Sequence, residues 1–208
     1  MRKTAKAPLI KICGLARAQD AALAASLGAD FCGFVFHPGS PRAVTADQAR
    51  LMPTPGARRV GVFVNHSLGE ILDIMDGAGL DLAQLHGDQT AELALALGPA
   101  RVIRVFWPER QSRDDLLVAM DLWKEFAGLF LFDAGGGGGG HGRGIGAEIP
   151  QSPREYLLAG GLDPAGARAA WPSKDPMLVG FDLNSGLEGS PGSKDAMALG
   201  EILPWRRD

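Results

Sequence analysis

Short, nearly unbroken apolar runs recur along the whole chain, at residues 9–13, 31–36, 60–64, 82–85, 102–106, 129–132, 156–159 and 178–181. Runs of this length that do not alternate apolar with polar positions are expected of strands buried on both faces of a parallel sheet. Between most of them lie segments with apolar residues at three- and four-residue spacing, such as Ala21, Leu23, Ala24 and Leu27, or Ile71, Leu72, Met75 and Ala78. That spacing predicts helices with one apolar face. Helix starts are marked by polar caps at Thr45, at Ser67 with Glu70 three residues on, and at Asp114. Strand and helix alternating eight times with short connections predict a small (β/α)8 barrel of the α/β class, formed as a single domain over residues 1–208. An open flavodoxin-like sheet is the rival arrangement, but it uses fewer strands. One unit is atypical. After Phe132 comes a glycine-rich loop, and the following 148–154 stretch, with Pro150 and Pro153, is too short and too proline-rich for an ordinary sixth helix.

Composition narrows the function. The chain has 21 Lys+Arg and 24 Asp+Glu, for a net charge of −3, with the signs interleaved. This leaves no basic footprint for a nucleic-acid backbone. Two cysteines, Cys13 and Cys32, form no disulfide framework and no CxxC pair, which suits a reducing cytoplasm. The basic start has no signal-peptide core, since Lys11 interrupts its apolar run, and no stretch approaches the ~18 apolar residues of a membrane span. Glycine, in contrast, is in surplus. There are 29 among 208 residues, six of them in the run 135–140 and several others directly after apolar runs. Glycine in such places lets backbone approach a ligand.

In a (β/α)8 barrel chemistry sits at the carboxyl ends of the strands, and the polar residues of this chain gather there. Cys13 ends the first run, beside Lys11, whose charge would favour a thiolate, although a cysteine also packs well as a small hydrophobe. Cys32 lies within the second run and reads as core. Asp133 follows four apolar residues, where partial desolvation suits a carboxyl that holds a proton as a general acid; the same position also suits a loop cap. Arg42 lies in a loop stiffened by Pro38 and Pro41, fit to hold a carboxylate or phosphate unless it is simply a surface arginine. His86 either orients substrate or caps its loop. Gly160 with Gly161, and Asp182 through Ser185 and Gly186, close the last two runs, where such barrels often bind phosphate. The histidines stand at no metal-ligand spacing, so no metal is expected. The segment 135–144 lacks the lysine of a phosphate-binding P-loop.

Taken together, Lys11-Ile12-Cys13-Gly14, His37-Pro38-Gly39-Ser40-Pro41-Arg42, Gln84-Leu85-His86-Gly87-Asp88, Ala159-Gly160-Gly161-Leu162 and Ser185-Gly186-Leu187-Glu188 with Gly192-Ser193-Lys194-Asp195 resemble phosphoribosylanthranilate isomerase of tryptophan biosynthesis. The resemblance runs in order from residue 11 to residue 195. It implies an Amadori rearrangement of N-(5-phosphoribosyl)anthranilate without cofactor or metal, in a monomer or homodimer whose partner is a small phosphosugar. By the same resemblance Cys13 is the general base, Asp133 the general acid and Arg42 the partner of the anthranilate carboxylate. His86, Asp182 and the loops at Gly160, Gly161, Ser185 and Gly186 then meet the rest of the substrate. The chain departs from the family after Asp133, where Gly146 and Ala147 replace an Asp-Trp pair.

Overall fold

A strand with two apolar faces needs a neighbour on each edge and cover on each face, and eight of them meet both needs by closing into a ring wrapped in helices. The computed structural model, which describes residues 7–133, 149–171 and 175–202, has this arrangement. Strands β1 (Leu9–Ile12), β2 (Phe31–Val35), β3 (Arg58–Phe63), β4 (Leu82–Leu85), β5 (Val102–Phe106), β6 (Leu129–Asp133), β7 (Tyr156–Ala159) and β8 (Leu178–Leu183) form a closed parallel barrel in chain order. Pairing of β1 with β8, Lys11 opposite Asp182, closes the ring. Strand β8 is longer than its apolar run, so Asp182 lies within the strand and not after it.

Side chains that alternate along each strand divide the core in two. Phe31, Val60, Leu82, Ile103, Val105, Leu131 and Leu157 fill the barrel interior. Residues at the alternate positions of the same strands, among them Phe34, Phe63, Phe106, Phe130 and Phe132, fill the annulus between barrel and helices. Cys32 packs in this outer layer as expected, with no exposed surface.

Helices α1 (Ala18–Ser26), α2 (Ala46–Leu51), α3 (Leu68–Ala78), α4 (Ala91–Leu97), α5 (Arg113–Trp123), α6 (Pro164–Ala170) and α7 (Ala196–Ile202) supply the cover. Thr45 and Ser67 cap α2 and α3 as the sequence predicts, each in a reciprocal capping box with Gln48 or Glu70. The cap of α5 is Ser112, not Asp114. Ser112 Oγ accepts from the amide of Asp115 at 3.2 Å, which leaves Asp114 and Asp115 in the first turn, where their charge suits the helix dipole. Leu72 also departs from its expected place, being 41% exposed while Ile71, Met75 and Ala78 are buried. Residues 149–154 carry no helix, in keeping with their prolines; the six-glycine run lies outside the described residues. A small hairpin, β9 (Glu188–Ser190) and β10 (Ser193–Lys194), follows β8. No described helix is long and apolar enough to cross a membrane.

Candidate active site

Lys11 on β1 and Cys13, which follows the strand directly and continues its ladder by donating from its amide to Leu183 O at 2.8 Å, lie two residues apart, so both side chains point into the barrel near its carboxyl end. Lys11 has no exposed surface and Cys13 is buried. The register that closes the ring places Asp182 beside Lys11, and Lys11 Nζ lies 2.9 Å from Asp182 Oδ1. Burial works against the ammonium of Lys11, but Asp182 and Cys13 outweigh it and hold the lysine protonated. Burial pushes the Cys13 thiol up; Lys11 pulls it down, Asp182 adds to the rise, and the outcome is a raised value. The expectation that Lys11 favours the thiolate is thus right for its own effect, while desolvation prevails in the resting protein. Burial likewise raises Asp182, against Lys11, and Asp133 adds to the rise. Asp133 itself is the half-buried last residue of β6. Strands β7 and β8 separate it from β1, so Cys13 and Asp133 flank the mouth.

Arg42 reaches the same mouth from the loop after β2. Its amide donates to Ser40 Oγ at 3.1 Å, and a bridge between Val35 and Ala43 ties the loop to the strand. A side chain at Gly14 would sit 2.6 Å from Arg42 Cδ, so the glycine, at φ +68°, leaves the passage this arginine needs. The guanidinium is gripped by Glu188: Nε donates to both carboxylate oxygens, at 2.9 and 3.1 Å, and Nη2 to Oε2 at 2.6 Å. Buried Lys194 completes the brace, donating from Nζ to Glu188 Oε1 at 2.9 Å and to Asn184 Oδ1 at 2.8 Å. Neither Glu188 nor Lys194 is a site residue on sequence grounds, since charged residues in a polar hairpin look like solvated surface.

His86 continues β4, its amide donating to Phe63 O at 2.8 Å. Its ring meets Trp107, at the end of β5, edge to face with centroids 5.0 Å apart. Burial lowers its pKa to about 4, so the imidazole is neutral near pH 7. Nδ1 has no hydrogen-bond partner among the described residues. The Gly87 turn is fixed from three sides: Gln89 Oε1 accepts from Gly87 N, Arg104 Nη1 donates to Gly87 O, and Gln89 Nε2 donates to Val64 O.

After β7, Gly160 and Gly161 adopt φ of +115° and +69°, values that other residues rarely take. Asp163 caps α6 by accepting from Gly166 N at 2.7 Å. A side chain at Gly186 would fall 2.1 Å from Leu162 O, so the loops after β7 and β8 lie backbone against backbone, and Ser185 opens a single 3-10 turn there. The candidates Cys13, Arg42, His86, Asp133, Gly160, Gly161, Asp182, Ser185 and Gly186 therefore share one end of the barrel. Among the described residues no group of three or more His, Cys, Asp or Glu could hold a metal.

Comparison with known proteins fits this layout. The family model described as N-(5'phosphoribosyl)anthranilate (PRA) isomerase matches residues 10–203. The N-(5'-phosphoribosyl)anthranilate isomerase of Desulfovibrio desulfuricans is 46% identical over 203 residues, covering 94% of this chain and 93% of its own. The crystal structure of phosphoribosyl anthranilate isomerase from Thermotoga maritima superposes with a TM-score of 0.83 at 31% identity, over 96% of this chain and 98% of that one. A further structure of the enzyme, in complex with reduced 1-(o-carboxyphenylamino)-1-deoxyribulose 5-phosphate, superposes at 0.77 with 29% identity, over 96% and 98% of the two chains. The chain belongs to the phosphoribosylanthranilate isomerase family, enzymes of tryptophan biosynthesis.

Proposed function

We propose that the protein converts N-(5-phosphoribosyl)anthranilate to 1-(2-carboxyphenylamino)-1-deoxyribulose 5-phosphate, with Asp133 as general acid and Cys13 as general base and with no metal or cofactor. Asp133, protonated, gives its proton to the furanose ring oxygen; the C1–O bond breaks as the anilino nitrogen forms the Schiff base. The Cys13 thiolate then removes the proton at C2, and that electron pair forms the C1=C2 bond of an enolamine, which tautomerises to the ketone. Acid and base in different electrostatic settings on opposite sides of a substrate are what such an internal proton movement requires. Arg42, steered by Glu188, takes the anthranilate carboxylate. His86 and Asp182 line the sugar, and Gly160, Gly161, Ser185 and Gly186 offer backbone amides and a hydroxyl to the phosphate.

The observation that carries this reading is that Cys13 directly follows β1 and Asp133 ends β6, with Asp182, paired to Lys11, on β8 between those two strands. The binding of a reduced product by a related enzyme supports the same substrate class. The test follows the fluorescence of freshly formed phosphoribosylanthranilate. Cys13→Ser and Asp133→Asn should each lower kcat by at least ~100-fold, the loss typical of a positioned base or acid. Full activity in either variant removes that residue from the mechanism, and no turnover by the folded wild type leaves a phosphosugar-binding barrel instead.

A further inference from the structure

We infer that Lys11 is a positioning residue for Cys13: its ammonium, aimed by Asp182 and admitted to the sulfur by the missing side chain at Gly33, holds the reacting thiolate in place. The inference rests on the reading of Cys13 as the base. Three observations support it. First, Lys11 is completely buried two residues before Cys13, on the same inward face, and its Nζ donates to Asp182 Oδ1 at 2.9 Å. Second, a Cβ at Gly33, on the neighbouring strand β2, would lie 2.9 Å from Cys13 Sγ and 3.0 Å from Lys11 Nζ. Sulfur and ammonium therefore converge over the one position of that strand that carries no side chain between them. Third, stability does not explain the pair. A buried ion pair recovers little more than its own desolvation cost and is often replaceable by apolar residues. Here it stands at the base, in a barrel layer where the neighbouring strands carry valine or glycine.

The charges that face Cys13 come from four elements: Lys11 on its own strand, Asp182 on β8, Lys194 on β10 and Arg42 from the loop after β2. Lys11 is the first among the cations that pull the thiol down, and it shares a strand face with the sulfur. While Cys13 carries charge, Lys11 compensates it. When the thiolate takes the C2 proton, the S–H bond forms, the C–H electron pair passes into the enolamine, and the ammonium relaxes onto Asp182. Lys11 stays protonated throughout and contributes no proton of its own.

Removing Lys11 alone would strand a buried carboxylate, so the informative comparison is Asp182→Asn against the double variant Lys11→Met/Asp182→Asn. In the first the ammonium remains without its carboxylate; in the second both charges are gone and no buried ion is left unpaired. Measured by kcat across pH and by the ultraviolet absorbance of the thiolate, with Cys13→Ser as blank, the double variant should have the higher thiolate midpoint. Its kcat should be lower by at least ~10-fold, the equivalent of one unit of pKa. If Lys11 only counters Asp182, the two variants will have equal midpoints and equal kcat, and the inference falls. Gly33→Ala keeps every charge and forces the two groups apart, so it should also raise the midpoint and lower kcat; a folded Gly33→Ala enzyme with wild-type values overturns the contact. Wild-type turnover by Cys13→Ser would instead remove the base reading on which the inference stands.

Discussion

His86 should make the protein acid-sensitive by an amount that its surroundings set. Its pKa is lowered to about 4, from 6.5 for an unperturbed imidazole, first by burial and then by the positive charges of Lys11, Arg110 and Arg104; Asp182 opposes them. Between these two values the unfolded chain binds a proton that the native protein refuses, so unfolding becomes easier as pH falls through that window. The stability is fully present above about pH 6.5. The full difference of roughly 2.5 units corresponds to ~3 kcal/mol, of which about 2 kcal/mol is expressed between pH ~7 and ~4.5. Chemical denaturation of the wild type and of His86→Gln at both pH values isolates this contribution, because the acid groups common to both proteins cancel. The wild type should lose about 2 kcal/mol more than the variant over that interval. Equal losses, or an NMR titration of His86 with its midpoint near 6.5, would refute the account of a buried neutral ring.

Much of this arrangement was legible in the sequence because each signal was local. Eight apolar runs and their spacing predict the strands, since burial on both faces removes the polar alternation. The strand-end position of Cys13, Asp133 and the glycine pair is enough to place them at one mouth once the barrel is accepted. What escaped was set by register or by charge partners distant in the chain. The ion pair of Lys11 and Asp182 joins residues 171 apart; a lysine inside an apolar run shows that something buried must answer it, but not what. Glu188 and Lys194 stand in a polar hairpin, and the grip of Glu188 on Arg42 across 146 residues, with Lys194 bracing Glu188, depends on where that hairpin lies in the fold. The cap at Ser112 in place of Asp114 and the exposure of Leu72 are smaller cases, in which helix phase, fixed by tertiary packing, shifts the boundary or rotates the face. Desolvation is the subtlest omission. Adjacent charge predicts an activated Cys13, whereas depth in the barrel, which no spacing reveals, reverses the outcome for the resting thiol.

Glu188→Gln should loosen Arg42, because a neutral amide cannot hold the guanidinium by two charge-assisted bonds; a ~10-fold rise in KM with kcat within ~3-fold is expected, and a fall in kcat at unchanged KM would mean that Glu188 serves something other than the bound carboxylate. Arg59→Met tests a different joint. Arg59 lies on β3, yet its guanidinium reaches into the outer layer and donates to the carbonyls of Ala49 and Met52 at the end of α2, to Thr54 Oγ1, and to Ala78 O at the end of α3. It also lies over the ring of Phe34, 4.6 Å from the centroid. A cation set against the carbonyl ends of two helices adds a partner to their last-turn acceptors and meets the negative end of both dipoles. Methionine fills much of the same volume but answers none of those oxygens, and leaving part-buried acceptors without their partner costs more than losing the bonds alone. The expected loss is about 2–4 kcal/mol, read as a lower urea midpoint with the denaturant slope unchanged. A loss under ~1 kcal/mol would show that water replaces the guanidinium at these helix ends, so that α2 and α3 are held to the barrel by their apolar faces alone.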